Sequence, residues 1–379
     1  MSLALKNYKS QFFRSDLTHM NNAGLAPITK DAAEEIKYWA KRFHEEGFYT
    51  DADYMKRVHE SRESLSRLIG CESGEVAFFQ STAGAISQFA FMIGLKPGDE
   101  VVMWDQEYSS HLYPWQEACK RSGAKLVLVT SEKDLSLRTE KLFSHITEKT
   151  KVVAISWVQF QTGARSELNI IADFCRPKGI VIFADIMQGL GLHPFDFKSL
   201  GLDAVAGGSH KWLTAPVGVG FLAIRKELAK KMQPLLVGAY TYGTCEDPSD
   251  LSCEPKQDAL RFESGSKQVL EITALGRSVD LILKTGVKTI EIESLRLANS
   301  LREKLESFGF TLHTPQQNEP TAMVNFSHPK LDRDTMAEAL ILNQINFARR
   351  GPGLRLSPHA FNNDKDIEKV GRILALLLD

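Results

Sequence analysis

Residues 207–212 read Gly207-Gly208-Ser209-His210-Lys211-Trp212, which sets a hydroxyl, an imidazole and an amine in succession behind two glycines. The run follows Leu202-Asp203-Ala204-Val205-Ala206, a short apolar stretch bounded by turn signals, as a buried strand would be. The two glycines are expected to turn the backbone sharply without steric cost. A lysine at the end of a buried strand is expensive to keep charged, so its pKa falls and it becomes a usable nucleophile or base. Upstream, Gly179-Ile180-Val181-Ile182-Phe183-Ala184 reads as a second buried strand that ends in Asp185, with Gln188 just beyond. Ligands gather at the carboxyl ends of strands in an open α/β sheet. A carboxylate and an amine brought together there suit a cofactor with a basic ring nitrogen and an aldehyde.

The elements that must hold these groups follow from the pattern. Amphipathic helices are predicted over residues 30–46 and 54–69, the second closing on Gly70 as a C-cap. Strands are predicted over 75–80, 101–104, 151–158 and 216–224, the last of them antiparallel. Between them Ser81-Thr82-Ala83-Gly84-Ala85-Ile86 is a small-residue turn that opens a helix. Such a turn lets backbone amides approach an anion, with the helix N-terminus adding partial positive charge; a simple N-cap is the plainer reading. Residues 238–256 are polar and rich in Gly, Thr, Asp, Pro and Ser, and read as a loop near the site. A helical run over 269–308 breaks near Gly286, and 321–326 reads as a strand of a C-terminal unit.

Composition bounds the function. A chain of 379 residues calls for one large and one smaller domain, and 43% hydrophobic with 25% charged residues is ordinary for a globular protein. A net charge of −1 gives no electrostatic case for nucleic acid or an anionic membrane. The N-terminus lacks the apolar core of a signal peptide, and no apolar run approaches the roughly 20 residues that span a bilayer, so a cytoplasmic location is expected. Cys71, Cys119, Cys175, Cys245 and Cys253 form no CxxC and no metal-ligand spacing, and are expected to be reduced, incidental thiols. No metal is expected.

Asp185-Ile186-Met187-Gln188 followed by Ser209-His210-Lys211-Trp212 resembles the class V branch of fold-type I pyridoxal 5'-phosphate (PLP) enzymes. That branch includes cysteine desulfurases, isopenicillin-N-epimerase-like proteins, kynureninases and serine–pyruvate-type aminotransferases. The resemblance runs from about residue 21 to about residue 362. It implies an α/β fold: a large domain with a mostly parallel seven-stranded sheet flanked by helices, plus a smaller α+β C-terminal domain. The domains would be a large PLP-binding unit at 21–265 and a small one at 266–379 with its connecting helix, on which an N-terminal arm, 1–20, packs. By the same resemblance Lys211 carries the cofactor as a Schiff base and Asp185 holds its ring nitrogen protonated. Gln188 bonds the ring hydroxyl, and Thr82, Ala83, Ser209 and His210 anchor the phosphate. Ser266, in Arg261-Phe262-Glu263-Ser264-Gly265-Ser266, reaches the phosphate of a second subunit, which implies a homodimer with shared active sites. Arg355, in Gly353-Leu354-Arg355-Leu356-Ser357, binds the substrate carboxylate, and Asn22 lies near the substrate.

The chain departs from the desulfurases in three places. Glu107-Tyr108-Ser109-Ser110-His111-Leu112-Tyr113-Pro114-Trp115 puts Ser109 where they carry the histidine that stacks on the cofactor, so the stack falls to Tyr108, to His111 or to neither. Phe160 replaces their asparagine beside the ring, with Gln159 a candidate to take over its hydrogen bond. The segment ahead of Arg355, Ile345-Asn346-Phe347-Ala348-Arg349-Arg350-Gly351-Pro352-Gly353, lacks their catalytic cysteine. The expected function is therefore a PLP-dependent class V aminotransferase acting on an amino acid through Schiff base and quinonoid intermediates. An epimerase or lyase on the same fold, including a desulfurase-like C–S lyase, is the alternative within enzymes. A non-catalytic binding or regulatory module is the alternative outside them.

Overall fold

The computed structural model describes residues 2–12, 16–47, 51–243, 252–315 and 318–378. From the N-terminus come α1 (Leu3–Ser10), β1 (Thr18–His19), α2 (Lys30–Glu46), α3 (Asp51–Ile69), β2 (Val76–Phe79), α4 (Thr82–Met92) and β3 (Glu100–Trp104). There follow α5 (Ser109–Ser122), β4 (Lys125–Val129), α6 (Thr139–Ser144), β5 (Thr150–Ser156), α7 (Leu168–Cys175), β6 (Val181–Asp185) and α8 (Phe197–Leu200). Next are β7 (Ala204–Gly208), β8 (Gly220–Ile224), α9 (Lys226–Lys231), α10 (Val269–Thr285), α11 (Val287–Ser307), β9 (Thr311–Leu312) and β10 (Val324–Ser327). The C-terminal part closes with α12 (Arg333–Leu342), β11 (Ile345–Asn346), β12 (Ala348–Arg350), β13 (Gly353–Leu356) and α13 (Asp364–Ala375).

The large sheet has seven strands in the order β2-β8-β7-β6-β5-β3-β4. All run parallel except β8, which pairs antiparallel with both β7 and β2. Successive side chains of a strand point to opposite faces, so a sheet covered by helices on both sides feeds two cores. Here Val102, Trp104, Val153 and Ile155 join one core, while Val101, Met103, Val152 and Ala154 join the other. Parallel register carries the carboxyl ends of the central strands to one line: Ser156 of β5 lies opposite Asp185 of β6, and Asp185 opposite Ala206 of β7.

The second sheet, β12-β13-β10-β9, is antiparallel and is backed by α11 and α12, on which α13 packs. The α10–α11 break falls at Gly286, whose φ of +84° no β-carbon-bearing residue adopts easily. The N-terminal segment lies across this region. Lys9 pairs with Glu293, Tyr8 stacks on His359, and β1 adds parallel to β11.

The glycines before Ser209 correct the expectation of a sharp turn. Neither has positive φ, and both belong to β7. They are required for space instead. A β-carbon on Gly207 would meet the Phe221 ring at 2.5 Å, and one on Gly208 would sit 2.6 Å from Thr82 Oγ1. Gly220 of β8 likewise leaves room for the backbone of Ser81 and Thr82, so Gly208 and Gly220 let the start of α4 settle onto the strand ends.

Candidate active site

At the carboxyl ends of β5, β6 and β7 lies a cavity of about 310 Å³. Asp185, Met187 and Gln188 line it from β6, and His210 and Lys211 from β7. The start of α4 contributes Ser81, Thr82 and Ala83, and the segments after β3 and β5 contribute Tyr108 and Phe160. Ala23 and Gly24 come from the N-terminal segment, and Arg350 and Arg355 cross over from the C-terminal sheet.

Lys211 is half-buried on the cavity wall, and desolvation of its amine, reinforced by the charge of Arg355 and opposed by that of Asp185, brings it down to about 7. Its Nζ stands 5.7 Å from the centre of the Tyr108 ring. Asp185 has its carboxyl pushed upward, chiefly by burial, although Oδ1 accepts a hydrogen bond from the Met187 N–H at 2.8 Å. A buried carboxylate of this kind is stabilised by a proton donor of the ligand, which a protonated ring nitrogen provides. His210 is brought down to about 4 by burial and by Lys211, so its imidazole is neutral.

Helix α4 is capped by Ser81, whose hydroxyl accepts from Gly84 N–H at 3.1 Å. That leaves the first N–H groups of the helix, at Thr82 and Ala83, without an intrahelical acceptor and facing the cavity. The Ser81 cap and the open N–H groups beside the cavity thus belong to one structure. Gln188 has a fixed amide: Nε2 donates to the Ala23 carbonyl at 3.0 Å, and Oε1 accepts from Trp212 Nε1 at 3.1 Å.

Arg355, on β13, is fully buried, and burial followed by the charge of Arg350 lowers its pKa to about 9. Nη1 donates to the Phe160 carbonyl, while Nε and Nη2 have no partner. Two unpaired guanidinium donors inside a cavity are costly without an acidic ligand, and they match the two oxygens of a carboxylate.

Three predicted residues are not brought to the cavity wall. The Ser209 hydroxyl donates to the carbonyls of Pro216 and Val219, the latter at 3.1 Å, because the chain folds back along β8 beside it. Ser266 is exposed and lies away from its own chain's cavity. Asn22 is buried behind Ala23, with Nδ2 donating to the Ser357 carbonyl at 2.8 Å and Oδ1 unpaired.

Of the residues considered for stacking, Tyr108 lines the cavity and packs edge-on against Phe160, ring centres 5.0 Å apart. His111 is buried beneath, its Nδ1 2.9 Å from Glu107 Oε2. Glu107 also accepts from Ser156 N–H, the Ser156 hydroxyl and Gln159 Nε2. Gln159 therefore serves Glu107, while Phe160 forms the wall. Sequence reasoning missed Glu107 and Arg350. The signal for Arg350 was the strand spacing, which places it on the same face of the hairpin as Arg355.

Free thiols occur at Cys71, Cys119 and Cys175, none on the cavity wall, and burial raises them to about 12, 11 and 12. Cys253 is disulfide-bonded, which corrects the expectation of a reduced thiol; sequence spacing says nothing of how closely two β-carbons approach. Cys245 and the middle of the predicted 238–256 loop, residues 244–251, lie outside the described residues. Among the described residues no His, Cys, Asp or Glu cluster could hold a metal, and no helix is long and apolar enough to cross a membrane.

A lysine and an aspartate at adjacent strand ends of such a sheet, with a helix start lining the same cavity, are the arrangement of a PLP-dependent enzyme of fold type I. The chain belongs to the aminotransferase class-V family, whose profile matches residues 25–362. It is 29% identical over 342 residues to a probable cysteine desulfurase of Pyrococcus abyssi, covering 85% of this chain and 84% of the relative. It is 26% identical over 334 residues to an uncharacterized aminotransferase of Schizosaccharomyces pombe, covering 85% and 82%. Among solved structures, a mutant of C-DES with glycine covalently linked to its PLP cofactor superposes with a TM-score of 0.88 at 19% identity, covering 95% of this chain and 97% of that one. The cofactor is PLP, and the residues present fit it: the desolvated amine, the buried carboxylate, the free N–H groups of α4 and the unpaired guanidinium.

Proposed function

We propose that this enzyme is an aminotransferase, moving the amino group of an amino acid to a keto acid. When bound, PLP supplies an electron sink for the charge that develops at the substrate Cα. Lys211, whose amine gives up its proton near pH 7, takes the Cα proton and returns it elsewhere. Asp185 holds a proton on the ring nitrogen, and Gln188 faces the ring with its amide fixed. The N–H groups of Thr82 and Ala83, with His210, hold the phosphate, and Arg355 orients the substrate through its carboxylate.

The observation that carries this reading over a persulfide route is the hairpin ahead of Arg355. Arg350 pairs with Gly353, so only Gly351 and Pro352 form the turn, and no thiol stands there. A long cysteine-bearing loop, which desulfurases use, has no counterpart in this hairpin. A second reading, β-elimination at a C–S bond, is favoured by the likeness to a probable cysteine desulfurase, because Lys211 alone could serve it.

We read residues 21–265 as the PLP-binding domain and 266–379 as the smaller one, with 1–20 as an arm; the contacts of Lys9, Tyr8 and β1 support this. Ser266, exposed and away from its own cavity, supports a homodimer in which it serves the second site.

The test is an absorbance spectrum of the PLP-loaded protein followed through a panel of amino acids. Conversion of the cofactor to its amine form with release of a keto acid supports transamination. Sulfide or ammonia with pyruvate, at unchanged cofactor, would overturn it in favour of elimination, and Cα–H exchange alone in favour of epimerisation. A protein that acquires no Lys211-dependent visible band has no such activity.

A further inference from the structure

Arg350 has no assigned task in the scheme above, yet it lines the cavity. Its Nη1 donates to the Arg349 carbonyl at 2.8 Å, its Nε is buried without a partner, and its guanidinium lies 5.9 Å from the centre of the Phe160 ring. Among the described residues no carboxylate is ion-paired with it, whereas the neighbouring Arg349 pairs with Asp334.

Register decides how it stands to Arg355. Across the β12–β13 ladder Ala348 opposes Arg355 and Arg350 opposes Gly353. Arg350 and Arg355 therefore share one face as diagonal neighbours, roughly 7 Å apart at their β-carbons. Both engage residue 160, Arg355 through its carbonyl and Arg350 over its ring. The wall of the cavity thus carries one carboxylate, Asp185, against three cationic side chains, Lys211, Arg350 and Arg355. Lys211 and Asp185 are taken up by the cofactor and Arg355 by the α-carboxylate, so one cation is left facing the substrate. A half-buried guanidinium on the cavity wall, with a buried Nε that has no partner and no acid paired to it, is matched best by a second anionic group of the ligand.

We infer that the substrate is an acidic amino acid of aspartate or glutamate size, or its keto acid, with the side-chain carboxylate held by Arg350 and the α-carboxylate by Arg355. The assignment rests on the aminotransferase reading for which carboxylate is which, but the dicarboxylate site can be tested apart from it.

The experiment is a calorimetric titration of the PLP-loaded and unloaded protein with succinate and glutarate and, as matched single acids, propionate and butyrate. For the wild type the dicarboxylates should bind about ten- to a hundredfold more tightly than the single acids, as a charge-assisted pair would give. Arg350→Gln should abolish that preference and leave the single acids within about twofold, Arg350→Lys should keep part of it, and Arg355→Gln should weaken both classes. Equal affinities in the wild type would overturn the inference. So would an Arg350→Gln variant that loses single acids and dicarboxylates alike, because both arginines would then grip one carboxylate. Should Arg350→Gln fail to fold, the wild-type preference and Arg350→Lys decide. A preserved dicarboxylate preference without Lys211-dependent capture of PLP would leave the site standing and remove the enzyme reading.

Discussion

Lys211 can be titrated directly, and its neighbours make opposite demands on it. Its amine has a pKa of about 7 in place of 10.5. At pH 7.5 about three quarters of it is then neutral, against about one part in a thousand for an unperturbed lysine, a gain of several hundredfold in reactive amine. The lower basicity weakens each neutral amine somewhat, so the net advantage is smaller but of the same sign. The rate of PLP capture, read as growth of the visible band, should rise through pH 7 and then level off. Arg355→Gln removes a cation that depresses the pKa while leaving burial in place. The midpoint should then move up, on the order of one unit, which corresponds to about 1.4 kcal/mol. Asp185→Asn removes the charge that props the amine up, so its midpoint should move down. Borohydride trapping and peptide mass would locate the captured lysine. A wild-type midpoint near 10, or shifts of one sign in both variants, would refute the electrostatic account.

Three further outcomes are expected. The unloaded Lys211→Met variant should be more stable than wild type below pH 7, by at most roughly 4–5 kcal/mol, because the folded pKa lies below the unfolded one and protonation favours unfolding; the advantage should fade between pH 7 and 10.5, and urea midpoints that run parallel across that window would count against it. Asp185→Asn at saturating PLP should turn over about 10²–10³-fold more slowly, and a rate within threefold of wild type would deny Asp185 its partnership with the ring nitrogen. Glu107→Ala strands the donors of Ser156, Gln159 and His111 in the core and should cost roughly 2–4 kcal/mol by urea denaturation, an unchanged midpoint being the contrary result.

The strand ends were legible in the sequence because apolar runs stop where chemistry starts: Asp185 ends one such run, Lys211 follows shortly after another, and the two meet in one cavity. Helix α2 and the break at Gly286 were legible for the same kind of reason, a local pattern with a local cause. What sequence could not carry was convergence. Arg350 owes its place to hairpin register, and Glu107 to the meeting of three segments around one carboxylate. Ser209 shows the converse: its type and position suit an anion, yet the returning segment ahead of β8 supplies its acceptors. Gly207 and Gly208 read as a sharp turn in sequence, whereas the constraint on them is volume.

The seam between the two ends of the chain has a bearing on how this enzyme comes into being. Ala23 and Gly24 form cavity wall, and they are held there through Ser357, which receives Asn22 at a separation of 335 residues. The strand that reaches His19 pairs with Asn346. During synthesis the large sheet can assemble as its strands emerge, but this wall has to wait until residues beyond 350 have left the ribosome. Closing so long a loop is slow. A nascent chain should therefore hold its sheet well before it can hold substrate, and competence should arrive late and all at once. In a refolding experiment the same order would show as helix and sheet signals that lead the recovery of ligand binding.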